Sequence, residues 1–370
     1  MKRIFHVVSH FEMGGAERVA LNIARSQTDG FEYHVVEVMR GRSAFTQSFL
    51  QEMEEAGVCY HRSPIPVLVH FHYLFEKLAA VLFPLWFYFV FRKFRPDVIH
   101  CHTEIPNWAV YRLFHLFPKL TVRCCVVSTI HSTTLWHGMK ARGRKIEAWL
   151  EEHGMHIAIS QAVVEHYLRF MLNNGESTVP PIIYNGMQPV SEKKVYPRLV
   201  AGRQNILFAG RLEKEKGICH LVEIVKRLKD DRRYFFHILG NGSLSHMVET
   251  ELSGQENVEI CPPLYGIATY LGSFDYMIMP SEFEGLSIMS IESSMEHLPN
   301  IINAAPGLED TLPEDWPLKV KNNDIGSYMY LFQEVIPQGC RQQWANQAYS
   351  FAQQHFSLRK MQEAYEKIYQ

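Results

Sequence analysis

The chain contains no Asp-x-Asp, no Gly-x4-Gly-Lys-Ser/Thr and no Cys-x-x-Cys. The first absence leaves no carboxylate pair of the kind that clamps a divalent ion onto a diphosphate. The second excludes a Walker phosphate loop, and the third the thiol pairs of zinc ribbons and dithiol redox sites. Cysteine is sparse and odd in number, seven residues with Cys124 beside Cys125, which predicts reduced thiols in a cytoplasmic protein rather than a disulfide framework. Neither sign of charge dominates: the net charge of −2 argues against a nucleic-acid coat. The longest uncharged apolar run, Leu78 to Phe91, has fourteen residues with Pro84 inside, against the roughly 20 needed to cross a bilayer. Low-complexity tracts and internal repeats are missing too. Met-Lys-Arg followed by Ile4–Val8, and then by Ser9 and His10, reads as a first strand and not as a signal peptide.

What is present fits two ordinary globular domains, at 370 residues, 47% hydrophobic and 21% charged. Apolar, β-rich runs alternate with helical periods from end to end, the pattern of α/β layers around parallel sheets. Strands are predicted at Ile4–Ser9, Tyr33–Val38, Val98–His102, Cys124–His131, His156–Ile159 and Ile182–Tyr184. A second set is predicted at Ile206–Ala209, Tyr234–Leu239, Val258–Ile260, Tyr276–Met279 and Asn300–Asn303. Two doubly wound sheets follow, in domains 1–190 and 204–350, with a polar linker over Gly186–Arg203 and a final helical segment at 351–370. The first 195 residues carry a net +4 and the remainder −6, so an anionic surface would meet the N-terminal half.

Three strand-to-helix junctions could carry chemistry. After the first strand, Gly14-Gly15-Ala16-Glu17-Arg18 opens a helix running to about Gln27, where glycines permit close backbone approach and helix N–H groups attract phosphate. In the second half, Gly210-Arg211 ends a strand and Lys216 follows five residues later, a fork and a point charge able to clamp a pyrophosphate. The third junction, Met279 to Glu292, holds Glu284 in a loop and Glu292 inside the following helix, predicted from Leu286 to Glu296. One carboxylate can bond sugar hydroxyls and the other a ribose, with helix N–H groups between them for phosphates. His70-Phe71-His72 and His100-Cys101-His102 have metal-like spacing, but no further ligand set accompanies them, and no metal or cofactor is expected.

Together these motifs resemble the retaining glycosyltransferases of GT-B fold, family four. The resemblance spans Gly14–Arg18, Tyr184-Asn185-Gly186, Gly210-Arg211 to Lys216-Gly217, the Glu-x7-Glu of Glu284 and Glu292, and the Phe356-Ser357 start of a last helix that crosses back to the first domain in family members. It implies two Rossmann-like domains, an N-terminal one for the acceptor and a C-terminal one for a nucleotide-sugar donor, most simply a UDP-sugar. Arg211 and Lys216 would hold the diphosphate, Glu284 the transferred sugar and Glu292 the ribose. Backbone at Gly285, Leu286 and Ser287 would meet the phosphates, Leu264 and Tyr265 the base, and Gly14, Gly15 and Gly210 would line the donor. His131 matches an active-site histidine near the sugar, chosen over His102 by position. Glu-Gly-Leu-Ser replaces the commoner Glu-Gly-Phe-Gly, a change in the sugar pocket. The acceptor is expected to be a glycan or a lipid-linked glycan of cell-surface polysaccharide synthesis, with Lys140, Arg142, Arg144 and Lys145 as acceptor or membrane contacts and the aromatic run 78–91 as a peripheral membrane element. A nucleotide-sugar-binding protein without activity, or an epimerase or phosphorylase on the same fold, would share these features.

Overall fold

A computed structural model describes residues 1–12, 14–26, 28–66, 72–172 and 178–370. His70 and Phe71 of the first histidine pair lie outside the described residues. Two compact units emerge, one made of Met1–Gly186 with Leu358–Gln370 and the other of Met187–Ser357.

The first unit is built on β1 (Lys2–Val8), β2 (Phe31–Glu37), β3 (Cys59–His61), β4 (Val98–His102), β5 (Cys125–Ile130) and β6 (Gly154–Ala158), in the order β3-β2-β1-β4-β5-β6. Every pairing is parallel. Strands covered on both faces must be apolar along their length, and Ile4 to Val8 are accordingly all buried. The second unit repeats the plan with β7 (Gln204–Ala209), β8 (Tyr234–Leu239), β9 (Val258–Cys261), β10 (Tyr276–Met279), β11 (Asn300–Asn303) and β12 (Lys319–Val320), ordered β12-β11-β10-β7-β8-β9. In each sheet the connections reverse direction at one point, between β1 and β4 and between β7 and β10. Such switch points open a crevice at the carboxyl ends of the strands, where ligands bind in sheets of this kind.

Two strands escape the sequence reading: β3 and β12 are edge strands of three and two residues, too short to leave an apolar run. Ile182–Tyr184 contributes a single bridge, Ile182 to Ala158, instead of a strand. The stretch 187–203 has linker composition but is fastened to the second unit. The Val190 N–H donates to Glu296 at 2.7 Å, and Tyr196 is buried with its N–H on the Ser273 hydroxyl at 3.1 Å. Helix Arg341–His355 also lies in the second unit, and the chain rejoins the first only at Leu358. There, helix Leu358–Tyr369 buries Met361, Tyr365 and Tyr369, and Gln362 donates to the Asn22 carbonyl at 2.7 Å.

The run 78–91 falls within helix His72–Phe94, whose two faces differ. Ala79, Ala80, Phe83, Phe87 and Phe91 are buried, with Phe83 and Phe87 stacked at 4.6 Å. Burying two such rings contributes on the order of 3–6 kcal/mol before entropy is counted. Leu78, Leu85 and Phe89, four and seven residues apart, face outward at 43%, 59% and 72% exposure. Among the described residues, no helix is long and apolar enough to cross a membrane.

Candidate active site

In the second unit, the two expected loops meet at the β7/β10 switch point. Lys216 Nζ lies 2.6 and 2.8 Å from the two carboxylate oxygens of Glu284, and the Ser281 hydroxyl donates to Glu284 Oε1 at 2.8 Å. Backbone geometry makes this meeting possible. Gly217 has φ +68°, and a Cβ there would sit 1.8 Å from the Pro280 carbonyl oxygen, so the loop carrying Lys216 can touch the loop carrying Glu284 only with glycine at 217. The Glu282 N–H, donating to the Glu215 carbonyl at 2.9 Å, stitches the same two loops together.

A third loop, missed by the sequence reading, closes the cradle from β11. Glu284 N–H donates to the Pro306 carbonyl at 3.0 Å and Ser287 N–H to the Gly307 carbonyl at 2.8 Å. Gly307 has φ +72°, and a Cβ would fall 2.3 Å from the Glu284 carbonyl oxygen. The signal available was Ala-Ala-Pro-Gly directly after a predicted strand. Gly285 and Leu286 follow Glu284, with Leu286 buried, and the Ser287 hydroxyl caps helix Ile288–Met295 by accepting from the Ser290 N–H. That helix begins two residues later than expected, so 284–287 is loop, while Glu292 sits in the helix and is partly exposed.

Arg211 follows Gly210 at the end of β7, its side chain 66% exposed and its guanidinium 3.0 Å from Glu215. An exposed fork held by a neighbouring carboxylate can swing onto an incoming anion at small cost. Gly240 and Gly242 bring a further loop against this backbone, since a Cβ at Gly240 would lie 2.1 Å from the Gly210 carbonyl oxygen. Leu264 and Tyr265, both half-buried, occupy the loop after β9, with Leu264 packed on the core.

In the first unit, Gly14 is the N-cap of helix Gly15–Ala24 and Gly15 is exposed. Glu17 folds back over this turn; a Cβ on Gly14 would meet its Oε2 at 2.1 Å. Burial pushes the Glu17 carboxyl up to about 7. Arg18 forks Glu52 at 2.6 and 3.2 Å and Arg25 joins at 2.7 Å, tying this helix to helix Ala44–Glu55.

His131 directly follows β5 and lines a small cleft with Thr103, Glu104, Asn107, Ser132 and Leu135. The two histidine candidates, His131 and His102, are neighbours, with His131 Nε2 3.1 Å from His102 Nδ1. Burial pushes His131 down to about 3 and the Glu104 carboxyl up. Thr103, a β-branched residue at φ +78°, stores strain where β4 ends, and its hydroxyl lies 3.2 Å from that of Ser9 at the end of β1. The basic cluster lies on helix Lys140–His153. Lys140 and Lys145 are exposed, whereas the Arg142 guanidinium stacks on Trp108 at 4.5 Å and that of Arg144 on Phe170 at 5.5 Å. Two of the four cations are thus partly engaged in packing.

Comparison with known proteins agrees with this architecture. A family described as Glycosyltransferase Family 4 matches residues 13–189, and one described as Glycosyl transferases group 1 matches residues 203–331. An uncharacterized glycosyltransferase of Methanocaldococcus jannaschii is 25% identical over 242 residues, a match spanning 59% of this chain and only 60% of that relative. The capsular polysaccharide biosynthesis glycosyltransferase CapH of Staphylococcus aureus is 22% identical over 79% of each chain. Among solved structures, that of Anabaena HepE in complex with UDP and glucose superposes with a TM-score of 0.76, covering 99% of both chains at 16% identity. Two switch-point sheets, the loops converging on Glu284 and two family matches that between them reach from residue 13 to residue 331 lead to one assignment: the chain belongs to the group 1 glycosyltransferases of GT-B fold.

Proposed function

We propose that this chain transfers a sugar, with retention, from a nucleotide-sugar to a glycan or lipid-linked acceptor in the synthesis of a cell-surface polysaccharide. The observation that carries the reading is the Lys216–Glu284 pair at the β7/β10 switch point. A carboxylate fixed by Lys216 and Ser281 can receive hydroxyl hydrogen bonds from the transferred sugar, while Lys216 and Arg211 meet the diphosphate. Glu292, Gly285 to Ser287, Leu264, Tyr265 and Gly210 supply the ribose, phosphate and base contacts. UDP is favoured by the likeness to HepE, and the polysaccharide context by the likeness to CapH.

In the reaction, the anomeric carbon–oxygen bond to the diphosphate breaks and a bond to the acceptor hydroxyl forms on the same face. The hydroxyl proton passes to the departing phosphate oxygen. Catalysis then consists of positioning the two substrates and neutralising the developing diphosphate charge. With two side-chain cations at the site, the reaction needs no divalent ion, and activity is expected to survive a chelator; full, reversible loss would overturn that. A panel of UDP-, GDP- and ADP-sugars screened for thermal stabilisation tests the whole reading. One nucleotide class should raise Tm, and its best sugar should then be transferred to lipid-linked or soluble acceptors. No stabilisation by any of them would count against a donor site.

Membrane association belongs to the same proposal. The outward apolar stripe Leu78, Leu85 and Phe89 runs into the exposed cations Arg92, Lys93 and Arg95, a pairing suited to an anionic lipid surface. Wild-type protein is expected to float with vesicles of anionic phospholipid, and the double variant Leu85→Glu, Phe89→Glu to lose most of that binding. Equal, negligible flotation of both would remove the membrane from the proposal and leave the transferase reading in place.

A further inference from the structure

Three histidines, two on neighbouring strands of the first sheet and one directly after the next strand, form a continuous hydrogen-bonded file. His6 on β1 places Nδ1 3.0 Å from Nε2 of His102 on β4, and His102 Nδ1 is 3.1 Å from Nε2 of His131. Parallel register brings them together: His6 pairs with His100 and His102 with Thr129, so residues projecting from one face at the strand ends line up across β1, β4 and β5. His6 and His102 are wholly buried. Burial disfavours the imidazolium at all three positions, which leaves each ring with a single proton.

In a file of neutral imidazoles, each contact needs one N–H and one lone pair, so the polarity of one bond sets all the others. The inner end decides that polarity. Nε2 of His6 is buried and has no hydrogen-bond partner among the described residues. Were protons donated inward from His131, His6 would bury an unpaired N–H; donated outward, it buries only a lone pair. Orphaned buried N–H groups are the rarer and costlier outcome. The file therefore runs outward: His6 Nδ1–H to His102 Nε2, then His102 Nδ1–H to His131 Nε2.

We propose that His6 and His102 are positioning residues that hold His131 as its Nδ1–H tautomer, so that this ring meets substrate as a hydrogen-bond donor and not as a base. The inference rests on the placement of His131 beside the reacting sugar. It fits a transfer in which the leaving phosphate oxygen takes the proton, because the site then needs a neutral donor to hold a sugar oxygen. His100 completes the assembly without joining the file: its two ring nitrogens lie 2.6 Å from the Tyr369 hydroxyl and 2.7 Å from that of Thr129, which is itself 3.0 Å from the Tyr365 hydroxyl. Ring nitrogens of His6, His100 and His102 come within 4.8 Å of one another, near enough to suggest a metal. Those of His6 and His102 already face each other at hydrogen-bonding distance, and both nitrogens of His100 have hydroxyl partners.

Imidazole nitrogen-15 spectra of the full-length protein test this without reference to activity, the His131 signals being assigned by their loss in His131→Asn. The expected result is a protonated Nδ1 and a bare Nε2 on His131. His102→Leu should redistribute that tautomer and lower kcat at least tenfold with donor KM within twofold. His102→Gln, whose amide can both accept and donate, should restore most of the rate. A protonated Nε2 on wild-type His131, an unchanged tautomer and kcat in His102→Leu, or one equivalent of zinc bound by wild type and lost in His6→Gln would each overturn the proposal. If His131→Ala retains wild-type kcat/KM while the Nδ1–H tautomer is observed, it is the placement of His131 at the sugar that fails, and the file stands as a structural network.

Discussion

Lys216→Ala and Glu284→Gln are each expected to lower kcat/KM for transfer by about 10²–10³-fold, the usual result of removing one preorganised polar contact to a developing charge. Their Tm should stay within a few degrees of wild type, because both side chains lie at loop ends outside the hydrophobic core. The pair is mutually oriented: Lys216 spans both carboxylate oxygens of Glu284. Removing either partner releases the other, so the double variant should be little worse than the more damaging single one, a non-additivity that marks groups acting as a unit. Arg211→Ala should cost less, since its exposed guanidinium must be recruited by the donor. Additive losses in the double variant, or near wild-type kcat/KM in both single variants, would displace the site from this junction. Gly217→Ala serves as a contrast. There the added methyl collides with the Pro280 carbonyl, so stability and activity should fall together.

The core of this architecture was legible because strands buried on both faces announce themselves as unbroken apolar runs, as in Tyr276–Met279, where all four residues are buried. The edges were not, since β3 and β12 contribute too few residues to pattern. Gly210, Arg211, Lys216 and Glu284 could be found because each stands at a strand-to-helix junction whose chemistry is local. Gly307 left only a turn signal, because its role depends on a carbonyl more than twenty residues earlier in the chain. Polar composition marked 186–203 as linker, yet a single buried aromatic, Tyr196, anchors it to the second core. The histidine file lay furthest from view. His6, His102 and His131 are separated by 96 and 29 positions, and only the parallel register of β1, β4 and β5 makes them neighbours.

Acid is expected to destabilise the first unit more steeply than the second. His6, His100 and His102 are wholly buried and held below their ordinary range by desolvation, His6 at about 3. His61, at about 4, and His131, at about 3, shift the same way. A histidine depressed on folding is protonated in the unfolded chain before it is protonated in the native one. Its contribution is therefore complete above about pH 6.5 and is lost as pH falls through the window between 6.5 and 3. Each fully buried ring withdraws up to about 1.4 kcal/mol per pH unit there, so the three together represent roughly 4 kcal/mol per unit, a large share of a typical 5–15 kcal/mol stability. Glu17, Glu37 and Glu104 oppose this: their carboxyls are raised by burial, Glu17 to about 7, so their contribution grows as pH falls. The imidazoles outnumber them and prevail. In the second unit, burial depresses the His237 imidazole too, and Glu259 beside it at 2.6 Å offsets part of that. Calorimetry at pH 7.5, 6.5 and 5.5 should show a transition that changes little between the first two and moves down by several degrees between 6.5 and 5.5, with a smaller shift in His6→Gln, whose side chain does not titrate. Equal pH dependence in wild type and His6→Gln would mean that the buried imidazoles do not set the acid limit of this fold.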